Sequence, residues 1–232
     1  ADKNATVAVA GVATFDGCSI DKAGSGYRLY AVDVDDGVFG TSASFDINSG
    51  PAAGLRFDTQ PGSGIAGGAL GVQPRVSVVD AMGNRVASST DSISLQVTTG
   101  TGAVGAAITC TTNPLAAVAG SATFAGCAVD LASGGYTVTA SSGTLTSAVS
   151  TPFDVTTGTG SHLAFLTNPG GGPAGMPFAT QPVVAVTDAG GNGVGGLVTL
   201  SIKPGTGAPG ATLTCAATTV AASAGAASFT GC

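Results

Sequence analysis

The chain has no tryptophan, and aromatic residues make up only 5% of its 232 residues. Charged residues make up 9%, against about 25% in ordinary soluble domains. Few large side chains leave little to fill an extensive enzyme core, whereas small and β-branched side chains suit thin layers. Disorder is excluded from the other side, because 44% of the residues are hydrophobic and the formal net charge is only −6. Nothing forms the basic footprint that nucleic acid requires. No uninterrupted apolar run approaches the ~20 residues that span a bilayer, so no membrane insertion is expected. The first residues do not read as a signal peptide, and Ala1-Asp2-Lys3 is compatible with a mature N-terminus left by signal cleavage. No stretch holds a helical period for ten residues, and the 38 glycines interrupt every candidate.

What is present begins with five cysteines: Cys18, Cys110, Cys127, Cys215 and Cys232. Cys110 and Cys127 are 17 apart, and so are Cys215 and Cys232. No C-x-x-C occurs and the one histidine lies far from this spacing, so zinc is not expected, nor any other cofactor. Regular pairs in a lysine-poor, Ser/Thr-rich chain predict structural disulfides formed in an oxidising, extracellular setting. The expected partner of Cys18 would fall at Ala1, which leaves Cys18 unpaired or bonded to another chain.

Internal repetition is the main signal. Leu55-Arg56-Phe57-Asp58-Thr59-Gln60-Pro61 matches Leu163-Ala164-Phe165-Leu166-Thr167-Asn168-Pro169 at an offset of 108 residues. Gln73-Pro74 matches Gln181-Pro182, and Asp80, Gly83 and Asn84 match Asp188, Gly191 and Asn192, at the same offset. Ile93, Leu95, Val97, Cys110, Phe124 and Cys127 match Val198, Leu200, Ile202, Cys215, Phe229 and Cys232 at an offset of 105. The N-terminal segment joins the register at an offset of 109: Ala13-Thr14-Phe15-Asp16-Gly17-Cys18 matches Ala122 to Cys127, and Tyr27 matches Tyr136. The expected organisation is the C-terminal half of a repeat over 1–50, a complete repeat over 51–157 and the N-terminal part of another over 158–232. Asn48-Ser49-Gly50-Pro51 and Thr156 to Gly160 read as short linkers.

Within a repeat, apolar residues alternate with polar ones. Ile93, Leu95 and Val97 alternate with Ser94 and Gln96, and Tyr136, Val138 and Ala140 with Thr137 and Thr139. Period two predicts strands with one buried face. Asp80-Ala81-Met82-Gly83-Asn84, its counterpart at 188–192, Asp35-Asp36-Gly37 and Ser141-Ser142-Gly143 read as turns. The expected fold is all-β, tandem immunoglobulin-like β-sandwiches of about seven strands per repeat. Asp21 to Tyr27 and Asp130 to Tyr136 resemble the tyrosine corner of such domains, with Tyr27 and Tyr136 as the corner residues. The disulfide departs from the antibody pattern and is expected to tie the fourth strand to the fifth.

These residues (Phe57, Gln60-Pro61, Val78-x-Asp80-x-x-Gly83-Asn84, Ala122-Thr123-Phe124, Gly135-Tyr136) resemble the bacterial Ig-like repeats of large surface proteins and invasin-type adhesin stalks. The resemblance covers essentially the whole chain and implies an extracellular surface role. Such modules serve as spacers, adhesins and enzyme accessories alike.

Candidate sites resolve mostly into structural readings. His162 sits in a linker without the spacing of a catalytic triad. Asp33, Asp35 and Asp36 lack the closing Glu of a calcium loop and read as a hairpin tip. Asp80 and Asp188 are explained by Asx turns. Asn4-Ala5-Thr6 is a glycosylation sequon. Gly62-Ser63-Gly64 and Gly170 to Pro173 are loops rather than phosphate cradles, with no Lys and no helix after them.

No enzyme is expected. The expected function is structural: a disulfide-stapled stalk or filament subunit for spacing, adhesion or fibre formation. The alternative is an adhesin module that binds a surface glycan or another ligand. The expected partners are neighbouring copies, or adjacent repeats, head-to-tail. The half-repeats at the two ends fit a window on a longer array. They also fit a subunit whose N-terminal half completes the C-terminal half of the next, with residues 1–18 then redundant against 215–232.

Overall fold

A computed structural model describes residues 5–232, so Asn4 of the sequon lies outside the described residues. The chain is all β, with no helix among the described residues. Among the described residues the strands form eight separate sheets, none of them closed into a barrel.

The stretch 54–156 holds the largest assembly. One sheet pairs Ser121–Thr123, Arg75–Val79 and Gly54–Thr59 in that order. A second orders Leu115–Ala116, Ser92–Val97, Val138–Ser141 and Ala148–Val149. Their apolar faces contribute to one core: Leu55, Phe57, Val76, Val78 and Ala122 from the first, Ile93, Leu95, Val138 and Ala140 from the second. Alternation decides which side chains enter, since Ile93 and Leu95 are buried while Ser92 and Gln96 are exposed.

Strands are shorter and more numerous than seven. The run Ser133–Ser141 is interrupted at Thr137: Ser133–Tyr136 pairs with Phe153–Thr156, and Val138–Ser141 with Ser92–Val97. One covalent run therefore serves two sheets. Gly54–Thr59 and Gly64–Ile65 divide similarly, the second pairing parallel to Phe153–Thr156. Such corners let short strands wrap a core that small side chains fill.

A tight turn also recurs at the repeat offset. Val9-Ala10-Gly11-Val12, Val118-Ala119-Gly120-Ser121 and Ser223-Ala224-Gly225-Ala226 each close an isolated antiparallel bridge. Each has positive φ at both central residues, as Ala119 (48°) and Gly120 (75°) illustrate. That is the signature of a type I′ hairpin. Gly120 is also required sterically, because a Cβ there would lie 2.3 Å from the Val86 carbonyl oxygen.

The flanking segments are less covered. Leu163 and Phe165, counterparts of the buried Leu55 and Phe57, are 64% and 51% exposed. Among the described residues Gly196–Thr199 pairs with Thr219–Ala222 alone, whereas its counterpart Ser92–Val97 is paired along both edges. His162 does not lie in a linker: it opens the strand His162–Thr167, opposite Thr187.

Candidate functional site

The features that recur from repeat to repeat are a staple, a corner and a turn. Cys110–Cys127 and Cys215–Cys232 are disulfides, each spanning 17 residues. Cys110 follows Ile108–Thr109 and Cys127 precedes Ala128–Val129, and these two short strands pair with each other. The bond therefore closes the mouth of an adjacent pair, and two further strands, Leu115–Ala116 and Ser121–Thr123, lie inside its loop. A fourth-to-fifth strand tie, as expected from spacing, is too simple, because the chain between the cysteines breaks into short pieces.

A glutamine clamps each staple. The Gln73 side-chain oxygen accepts from the Cys127 N–H at 2.6 Å, and its amide donates to the Leu70 carbonyl at 2.9 Å. Gln181 repeats this with the Cys232 N–H at 2.8 Å and the Phe178 carbonyl at 2.9 Å. The Gln-Pro dipeptide was visible as a repeat, but its partner lies over fifty residues away, so no local pattern announces the clamp. Cys18 is exposed and free among the described residues.

Tyr136 is fully buried. Its hydroxyl donates to the Leu131 carbonyl at 2.7 Å and accepts from the Ala103 N–H at 3.2 Å. Its ring presses on Gly102, where a Cβ would lie 2.0 Å from a ring carbon. Tyr27 makes the same bond, to Lys22 at 3.0 Å, in an exposed setting. Tyr136→Phe is expected to destabilise the central repeat by about 1–3 kcal/mol, because two partly buried backbone groups lose their partner. Tyr27→Phe should cost under about 1 kcal/mol, because water replaces the bond. Urea unfolding followed residue by residue by NMR checks the contrast.

In the Asp-Gly-Asn turns, the Asp80 carboxylate accepts from the N–H groups of Met82 (2.9 Å), Asn84 (2.8 Å) and Gly50 (2.8 Å). The Asn84 side-chain amide donates to it at 3.0 Å. Asp188 repeats the pattern with Gly190 (2.9 Å), Asn192 (2.9 Å) and Gly158 (2.9 Å). The Asn84 amide, against the opposing effect of burial and with help from the Gly50, Asn84 and Met82 N–H groups, lowers Asp80 from 3.8 to about 2. At Asp188 burial alone would raise the pKa, but the donors from Gly158, Asn192 and Gly190 outweigh it and the net shift is downward. A depressed carboxylate stabilises the fold above its unfolded pKa and loses that contribution as pH falls. Melting temperature is therefore expected to hold down to about pH 4 and to fall between about pH 4 and pH 2, the window set by 3.8 and about 2 at Asp80. Asp80→Asn should remove that part of the acid sensitivity.

Asp33, Asp35 and Asp36 form a hairpin loop between Tyr30–Val32 and Phe39–Thr41, where the Asp35 N–H donates to the Asp33 carboxylate at 3.0 Å. No group of three or more His, Cys, Asp or Glu side chains is placed to hold a metal among the described residues. On the same hairpin Tyr30 and Phe39 are exposed, with ring centroids 5.4 Å apart.

No family model and no curated protein matches the chain. Among solved structures it is similar to domains 4–9 of the surface layer protein SbsC, at 18% sequence identity and a TM-score of 0.31. That match covers 78% of this chain and 27% of the other.

Proposed function

We propose that the chain is a non-enzymatic structural part of an extracellular stalk or filament, built from Ig-like sandwich repeats in tandem. The observation that carries this reading is the disulfide at the same place in successive repeats, each held by the same glutamine clamp. Such bonds belong to an oxidising compartment. They also limit how far a repeat lengthens when pulled, since 17 residues stay locked. The partners are further repeats, head-to-tail.

Single-molecule stretching tests the mechanical part. Reduction should add on the order of 60 Å to the length released when the complete repeat unfolds, at ~3.5 Å per residue. An unchanged length would sink the role of the staple. Antibody against 51–157 should label intact source cells, and labelling only after lysis would overturn the surface reading. A second reading, ligand binding, is favoured by the exposed Tyr30–Phe39 pair. A glycan array on which Tyr30→Ala abolishes a specific signal would promote it.

A further inference from the structure

The Asp-Gly-Asn turn also reaches out of its own repeat. The Asn192 side-chain amide donates to the Asp130 carbonyl at 3.0 Å, and its oxygen accepts from the Ala132 N–H at 2.9 Å. Asp130 and Ala132 belong to the tyrosine corner of the preceding repeat. At the other joint Asn84 donates to the Asp21 carbonyl at 2.8 Å and accepts from the Ala23 N–H at 3.1 Å. The same two bonds thus recur one repeat apart, between equivalent residues. The aspartate of each turn holds the linker, through Gly158 and Gly50, and holds the asparagine itself.

We propose that this turn is a docking element whose partner is the tyrosine corner of the repeat before it, and that it locks successive repeats into one rigid orientation. The proposal rests on the tandem-repeat reading and adds what joins the repeats. One asparagine amide satisfies a carbonyl and an N–H on the facing backbone at once, which sets both distance and rotation. The corner it grips is itself immobilised by Tyr136, whose hydroxyl holds Leu131, between the two gripped residues.

The two turns differ at one position. Met82 in the first corresponds to Gly190 in the second. A Cβ on Gly190 would lie 2.1 Å from the Asp130 carbonyl oxygen. The facing loop is equally close, since a Cβ on Gly67 would lie 2.9 Å from the Gly190 nitrogen. Met82 instead is 60% exposed, and its carbonyl accepts from Lys22 Nζ at 3.4 Å. The second joint is therefore closed tightly around a glycine, while the first accommodates a long side chain at its rim.

The test uses the 232-residue chain and NMR residual dipolar couplings, with amide exchange alongside. In the unaltered chain one alignment tensor should fit the amides of 54–156 and 162–228 together. Asn192→Ala should uncouple them, with alignment magnitudes differing at least twofold, and should speed exchange of the Ala132 amide at least tenfold. Gly190→Met guards against misfolding, because it leaves Asp188 and Asn192 intact and the central repeat already folds with methionine at that position. It should uncouple the same pair while exchange at Val184 and Val186 stays slow. Separate tensors in the unaltered chain would overturn the proposal, and so would a shared tensor in both variants. A chain that proves not to be a surface stalk but keeps the coupled tensors would leave the joint standing and remove only the functional reading.

Discussion

Replacing Cys110 and Cys127 together by serine should lower the stability of the complete repeat by about 3 kcal/mol. A cross-link removes loop-closure entropy from the unfolded chain, and for a loop of this length the chain-entropy relation gives that figure. For a unit of roughly 100 residues it corresponds to a fall in melting temperature on the order of 10–20 °C. The native side of the comparison should change little. Gln73 still binds the 127 N–H and the Leu70 carbonyl, and Ile108–Thr109 still pairs with Ala128–Val129. Because the Cys127 side chain is fully buried, reductant should act slowly on the folded repeat and quickly once it opens. Calorimetry of the double variant beside the reduced parent measures both. A loss under about 1 kcal/mol would mean that the unfolded chain is already compact around the staple.

Phe124→Ala is expected to cost more, about 3–5 kcal/mol, the range for emptying a buried phenylalanine site. Phe124 is 1% exposed and is the largest apolar side chain sealed in the central core. Its backbone N–H donates to the Pro74 carbonyl at 3.0 Å, so the ring cannot be replaced by sliding the chain. Its cluster holds twenty buried residues, Phe124 included, and the others would have to collapse together to refill the space. Phe229 is just as inaccessible, at 1%, yet its cluster numbers seven buried residues. Phe229→Ala should cost less, about 3 kcal/mol, the low end of that range, because a thin core can relax around the gap. Denaturant unfolding of both variants, read from NMR signals on either side of residue 158, tests the difference.

The β character, the paired cysteines and the corner tyrosines could be read from the residues because each leaves a local trace. Alternation in Ile93-Ser94-Leu95 needs only neighbours, and the spacing of Cys110 and Cys127 needs only counting. The division of 133–141 between two sheets left no such trace, since Thr137 continues the alternation through the break. The Ala-Gly hairpins were legible in principle, as three copies of an alanine before a glycine at the repeat offset, but alanine is a poor marker of positive φ. Asn84 and Asn192 were assigned to their own turns, which is half of what they do. Their other half involves residues about sixty positions away, and only packing one repeat against the next reveals it. The position of His162 failed for a related reason: the strand it opens is defined by Thr187 opposite, not by its own neighbours.

Both oxygens of Asp80 and of Asp188 face N–H donors, from the turn, from the asparagine and from the linker glycine. A hard cation such as calcium needs oxygen lone pairs directed at it, and these are already occupied by donors. Rigidity at such joints is carried by neutral amides and one desolvated charge, so it owes nothing to the mineral content of the surroundings. Repeats joined this way should stay aligned in soft water, in brine and in the presence of a chelator alike.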